Sequence, residues 1–215
     1  MNSSDWDERY AGADLVWSAA PNVWVEELLD GAQPGRALDV AAGEGRNAIW
    51  LVEQGWTVTA TDSSPVAVSR MRQIADDRLG ERRAALTTEV SDATRPPPAP
   101  VGEVDAAYDL VLFCYLHLPR EEWDAAIAAG VRAAAPEGLV FVVAHALRNL
   151  VEGVGGPQDP TVLLDPEGVV QSVTGLPVDV VSAQIRERMV EGSDRLALDT
   201  VVVLRRLVDK IPRGV

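Results

Sequence analysis

Residues 36–51 read R-A-L-D-V-A-A-G-E-G-R-N-A-I-W-L, a short apolar run that meets two closely spaced glycines and passes straight into a helical pattern. Ala37, Leu38 and Val40 supply buried β-type residues, with Asp39 among them. Gly43 and Gly45 let the backbone turn where a side chain would collide with a ligand, and Asn47 begins the helical spacing. A helix that starts on such a loop turns its free backbone N–H groups towards whatever lies over it, which favours a nucleotide-like molecule. The spacing D-x-x-x-G-x-G also serves dinucleotide enzymes and plain turns, so the rest of the chain decides its meaning.

Downstream, W-T-V-T-A-T-D at 56–62 alternates in strand fashion through Val58 and Ala60 and ends on Asp62. Ser63 or Ser64 caps the next helix, with Pro65 in its first turn and Val66, Val68, Met71, Ile74 and Leu79 as its apolar stripe. A third strand within 85–90 leads to S-D-A-T at 91–94 and then R-P-P-P-A-P, where three prolines exclude a helix. Residues 108–114 are almost continuously apolar, as in a central parallel strand buried on both faces, and continue into Y-L-H-L-P. Pro119 opens an alanine-rich helix to about residue 135, P-E-G at 136–138 turns the chain, and 139–144 form a fifth strand with His145 directly after it. Upstream, 21–31 place Val23, Trp24, Leu28 and Leu29 on one helical face that stops at Gly31.

Residues 146–165 carry Gly153, Gly155, Gly156, Pro157 and Pro160, too long a loop for a tight connection. After a short helix at 166–173, two β-rich runs at 178–190 and 196–207 flank E-G-S-D and read as a terminal hairpin. The pattern predicts an α/β fold: a Rossmann-like seven-stranded sheet, mostly parallel with a terminal antiparallel hairpin, and helices on both faces. One domain over 1–215 is expected, with 1–35 as an N-terminal lid segment and helix and 146–175 as a substrate-loop insertion.

A formal net charge of −14 disfavours phosphate backbones and anionic lipid, so neither a nucleic acid nor a membrane is expected as a partner. The lone Cys114 lies in an apolar run, where a free cysteine is a small buried hydrophobe suited to a reducing compartment. The N-terminal residues show neither a basic start nor an apolar signal core, and no run approaches the roughly 18 apolar residues of a membrane span. A cytoplasmic protein is the expectation.

Sheets of this kind bind ligands at the carboxyl ends of their strands, and Asp39, Gly43, Gly45, Asp62, Asp92 and His145 all fall there. A carboxylate closing the second strand accepts both hydroxyls of a ribose, the alternative being a helix-capping acid at Asp62. Asp92, with Ala93 beside it, suits an adenine amino group, against a plain turn aspartate. Two histidines among scattered acids lack any short ligand spacing, so no metal is expected.

With these residues in place the chain resembles the class I S-adenosylmethionine-dependent methyltransferases, and within them the small tellurite-resistance-like enzymes. D-V-A-A-G-E-G-R-N-A stands where that family carries its glycine-rich first motif, T-A-T-D its ribose-binding acid and S-D-A its adenine loop. The resemblance covers most of the chain and implies S-adenosyl-L-methionine as cofactor, with Asp39, Ala41, Gly43, Gly45, Asn47, Asp62, Ser63, Asp92 and Ala93 around it. Ala41 departs from the motif, standing where the first glycine is usual. Arg46 faces either the methionine end of the cofactor or a surface ion pair. The leader W-D-E-R-Y and L-V-W-S also resembles the subgroup, which makes Trp6, Tyr10 and Trp17 candidates to close over cofactor and substrate, or simply to dock the leader.

Such an enzyme needs a small-molecule acceptor at the same rim, where His117 and His145 both lie. A hydroxyl acceptor asks for a base of near-neutral pKa, and His145 is favoured over His117; a thiolate or chalcogenide would need none. Arg148, Asn149, Gln158 and Asp159 in the following loop are candidate polar contacts for a hydroxylated, sugar-like substrate, the alternative being an oligomer contact or a rigid surface loop. A non-catalytic S-adenosylmethionine-binding partner module remains the alternative from another class, and monomer and homodimer are both compatible with the chain.

Overall fold

A computed structural model describes Asp7, residues 20–95, 97–98 and 107–208. Their order is α1 (Val23–Leu29), β1 (Arg36–Val40), α2 (Arg46–Glu53), β2 (Thr57–Asp62), α3 (Pro65–Leu79), β3 (Leu86–Val90) and β4 (Tyr108–Cys114). Then come α4 (Arg120–Ala133), β5 (Ala134–His145), α5 (Asn149–Glu152), α6 (Pro166–Ser172), β6 (Val178–Arg188) and β7 (Ala197–Arg206). Single 3₁₀ turns occupy Gly80–Ala85 and Pro160–Val162.

The seven strands form one sheet in the order β3-β2-β1-β4-β5-β7-β6. The first five run parallel, and β7 is antiparallel to both β5 and β6. Alternation of side chains along each strand separates two cores. Leu110 and Leu112 of β4 face Ile49 of α2 and Met71 of α3, whereas Val111 and Phe113 face Trp123 and Ile127 of α4. Trp24 and Leu29 of α1 join the first core, and Val169 of α6 the second. The chain therefore reverses its direction of winding between β1 and β4, and a crevice opens there at the carboxyl ends of the strands.

Three details differ from the sequence reading. α4 ends at Ala133, and the P-E-G turn is absorbed into a β5 that already starts at Ala134. The pairing slips between Tyr108 and Leu110, and Glu137 takes φ 65°, so the extra residues form an irregularity within the strand and not a free turn. In α1 the buried residues are Trp24, Val25 and Leu29, while Val23 is exposed. Residues 146–165 contain α5 and a 3₁₀ turn where an irregular loop was expected. Among the described residues no helix is long and apolar enough to cross a membrane.

Candidate functional site

The turn after β1 holds an unusual backbone. Ala41, Gly43 and Gly45 take φ of 57°, 58° and 82°, all in the left-handed region. For Ala41 this costs about 1–2 kcal/mol relative to right-handed backbone, so the residue that departs from the glycine motif keeps the motif's conformation under strain. Gly45 has no such latitude, because a Cβ there would stand 2.4 Å from Cγ of Met71 on α3. Asp62 ties the turn to the end of β2: its Oδ2 accepts from the Gly43 N–H at 2.8 Å and its Oδ1 from the Ser64 N–H at 2.9 Å. Ser64 is the buried cap of α3, and its hydroxyl also meets the Asp7 carboxylate. Burial raises the Asp62 pKa from the ordinary carboxylate value, opposed by these two N–H groups and reinforced by the charge of Asp7.

Asp39 is the second carboxylate of this end. It is 1% exposed, and neither of its oxygens meets a hydrogen-bond partner among the described residues. Burial pushes it up to about 7, against the opposing charge of Arg46 and the approach of the Ala48 N–H. A buried carboxyl with no close donor beside a left-handed turn is costly unless something else supplies one. Two buried carboxyls, Asp39 and Asp62, thus lie on either side of the turn at the carboxyl ends of β1 and β2.

Other expected cofactor contacts divide. Arg46, the first residue of α2, turns inwards with its guanidinium carbon 5.8 Å from the Tyr115 ring centroid. Asn47 is buried, and its Oδ1 accepts the backbone N–H of Asn22 at 2.8 Å, anchoring the cap of α1. Its carbonyl thus holds the N-terminal helix in place. The Ser63 side chain is exposed. Asp92 makes a turn, with Oδ1 accepting from the N–H of Thr94 at 2.9 Å and its hydroxyl at 2.8 Å, and these bonds lower its pKa. Ala93 packs against the second core. Trp6, Tyr10 and Trp17 lie outside the described residues.

Across the crevice a denser cluster gathers around Asp199 on β7, which is fully buried. Its Oδ2 accepts three bonds, from Arg188 Nε at 2.7 Å, Tyr115 Oη at 2.9 Å and Trp24 Nε1 at 2.9 Å. His145 lies on the same face, with Nδ1 3.5 Å from Asp199 Oδ1. The Tyr115 ring stacks on His145 at 4.5 Å between centroids, and His117 lies 5.7 Å from His145 with its plane tilted by 15°. Tyr115 reaches this position because the backbone turns left-handed just past β4, at φ 59°. Burial holds the His145 imidazole below its ordinary pKa, with Arg188 acting in the same direction and Asp199 against it. Burial likewise raises the Tyr115 phenol, and it pushes the Cys114 thiol up to about 12, so both stay protonated.

Both histidines are therefore brought together, as expected from the sequence. Trp24, Tyr115, Arg188 and Asp199 were not singled out. A lone acid inside the apolar run L-A-L-D-T-V-V-V-L was the available signal for Asp199, since an unpaired carboxylate in a buried strand requires partners.

The loop after His145 behaves otherwise than expected. Arg148 is exposed and pairs with Glu152 one helical turn on, at 2.6 Å. Asn149 is buried and pins the loop, its Oδ1 accepting from the Leu198 N–H and its Nδ2 donating to the Gly155 carbonyl. Gln158 is exposed and donates to the Gly156 carbonyl, and Asp159 caps the 3₁₀ turn through Thr161. All four polar groups are engaged within the fold, Asn149 with β7 as well as with its own loop. What the loop gives the site is steric, since a Cβ on Gly156 would stand 2.9 Å from the His145 ring. Among the described residues no group of three or more His, Cys, Asp or Glu is placed to hold a metal ion.

Residues 37–138 match the family model described as a methyltransferase domain. Solved structures share the whole architecture at low identity. One comes from work on the conversion of a disulfide bond into a thioacetal group during echinomycin biosynthesis, with a TM-score of 0.74 at 22% identity over 97% of this chain and 93% of that one. Magnesium protoporphyrin IX methyltransferase from Synechocystis PCC 6803, with bound SAM, aligns at 0.62 and 17% identity over 95% and 79%. TehB from Haemophilus influenzae aligns at 0.65 and 15% identity over 94% and 66%. At such identities these likenesses establish the fold.

Proposed function

We propose that this protein is an S-adenosylmethionine-dependent methyltransferase of the class I type that transfers the methyl group to a hydroxyl of a small-molecule acceptor, with His145 as the base. The cofactor, when bound, supplies an electrophilic methyl on a sulfonium. Asp62 receives the ribose hydroxyls and Asp39 the α-ammonium, with Arg46 and the N–H groups of the 41–45 turn about the tail. Asp92 offers its Oδ2 to an adenine amino group, since its turn uses Oδ1 and Arg95 Nε stands off Oδ2 at 4.0 Å.

The observation that carries the choice of a hydroxyl is His145 itself, held at the carboxyl end of β5 against a buried carboxylate on β7. Burial keeps the imidazole neutral at neutral pH, the form that can take a proton from the acceptor. His117 lies on the same rim and acts in positioning the acceptor. A sulfur acceptor is the second reading, supported by the likeness to the protein of the thioacetal conversion. It needs no base, and alignment alone can contribute on the order of 7–11 kcal/mol. The tellurite-resistance-like subgroup, a cytoplasmic location and a monomer or homodimer belong to the same proposal, the first resting on the leader and motif residues.

Titration calorimetry with S-adenosylmethionine and S-adenosylhomocysteine tests the cofactor reading, and absence of binding overturns it. Turnover on matched hydroxyl and thiol acceptors, in the natural protein and in His145→Ala, separates the two acceptor readings. Loss confined to the hydroxyl series supports the base; equal rates in the variant remove it.

A further inference from the structure

We propose that Asp199 is the positioning residue of His145: it holds the imidazole with its proton on Nδ1 and leaves Nε2 to receive the proton of the acceptor. This rests on the reading of His145 as the base. The two residues are direct cross-strand partners in the β5–β7 pairing, so the sheet itself sets their approach.

The donors around Asp199 are divided unevenly. Oδ2 accepts three bonds, from β6, from the residue after β4 and from α1, while Oδ1 accepts none. The polar atom facing Oδ1 is His145 Nδ1, 3.5 Å away, which is itself buried and without a hydrogen-bond partner. A proton on Nδ1 answers both deficits at once, since it gives the carboxylate oxygen a donor and the ring nitrogen an acceptor. With the proton on Nε2 instead, two lone pairs would face each other in a buried site. The ring has little freedom to escape this choice. Tyr115 stacks on it and Gly156 closes over its Cγ edge. Its side chain is 12% exposed although Nδ1 is buried, so the exposure belongs to the other side-chain atoms.

In the transfer, the acceptor oxygen forms its new bond to the methyl carbon with one lone pair, and the donor sulfur keeps the electrons of the bond that breaks. The acceptor proton passes to Nε2. The imidazolium so formed lies beside the Asp199 carboxylate, which stabilises it, and later releases the proton to water. The groups facing His145 are Asp199 from β7, Arg188 from β6, and Tyr115 and His117 from the segment after β4, with Arg46 beyond Tyr115. Arg188 neutralises Asp199 and opposes protonation of the ring, so the two residues pull the imidazole in opposite directions.

Nitrogen-15 NMR of the imidazoles in cofactor-free protein, assigned with a His117→Gln variant, reads the tautomer and pKa directly. The natural protein is expected to carry the Nδ1–H form of His145 at neutral pH. Asp199→Asn should lower the imidazole pKa, mix the tautomers and reduce kcat by roughly 10²-fold while cofactor affinity stays within a few-fold. Arg188→Gln should raise the imidazole pKa and move the acid limb of kcat/KM with it. An Nε2–H tautomer in the natural protein overturns the proposal. So does an Asp199→Asn protein whose tautomer and pKa are unchanged. If Asp199→Asn does not fold, the natural tautomer and the Arg188→Gln shift decide. Failure of the base reading is seen separately, as full hydroxyl turnover in His145→Ala.

Discussion

At the β1–β2 end of the crevice the polar groups come from one short run of chain, 39–47, closed by Asp62 from the neighbouring strand. At the β5–β7 end they come from five places: Trp24 on α1, Tyr115 after β4, His145 on β5, Arg188 on β6 and Asp199 on β7. The first end carries an orphaned carboxylate at Asp39 and strained backbone at Ala41. The second carries an Asp199 oxygen with three donors and another with none. On the proposed reading, local sequence suffices to build the turn that receives the constant part of the cofactor, whereas the end that chooses the acceptor is assembled by the sheet, where each element can vary alone.

The contrast is broken most directly at Asp62. Removing this carboxylate in Asp62→Ala takes away both the proposed ribose receptor and the acceptor of the Gly43 and Ser64 N–H groups. Cofactor affinity should fall by about 100-fold or more in calorimetry, the equivalent of roughly 3 kcal/mol. Binding that survives unchanged would sink the account of this end. His145→Ala acts at the other end: kcat on a hydroxyl acceptor should fall by roughly 10²–10⁴-fold with cofactor Kd unaltered, read by steady-state kinetics beside calorimetry. If both parameters moved together, the two ends would not be separable.

Asp39 sharpens the comparison through pH. Its folded pKa of about 7 lies above the unfolded value of 3.8, so between them the folded chain holds a proton that the unfolded chain has released. The stability this contributes is complete below the unfolded value and is lost as pH rises through about 7. Cofactor-free protein should therefore melt at a lower temperature at pH about 8 than at about 6, and Asp39→Asn should flatten that difference. Cofactor affinity should run the other way, tightening by up to about tenfold per pH unit on the approach to 7 as the ionised carboxyl becomes available to an ammonium.

The smallest effects concern Arg148 and Ala41. Arg148→Ala should change KM by less than about twofold, because the side chain is exposed and paired with Glu152. A larger change would return the loop to the acceptor site. Ala41→Gly should stabilise the protein by up to about 1 kcal/mol in urea melts, the relief of left-handed strain being partly offset by the freer unfolded chain.

Much of the frame was legible. Strand 108–114 and the terminal hairpin followed from apolar runs and turn residues, and the seven-stranded sheet with β7 antiparallel matches that reading. At the site, Asp39, Asp62 and the glycines stand on the crevice, and both histidines share its far rim. The polar residues of the 146–165 loop mark where composition stops: it reports that a loop carries donors and acceptors, but not which groups of the fold take them up. Asn149 is taken up by β7 and its own loop, and Asp159 by its 3₁₀ turn. Asn47 is the same case, its carbonyl held by the cap of α1.

The order of apolar runs, glycines and acids along the chain by itself determined the strands and helices, the glycine turn and the carboxylates that flank it, because these depend on neighbours in sequence. Only the tertiary structure decided that Asp199 faces His145. β7 enters the sheet antiparallel between β5 and β6, which brings the first residues of one strand to the last residue of another. Register between strands some fifty residues apart is set by core packing and turn geometry, and no local pattern encodes it.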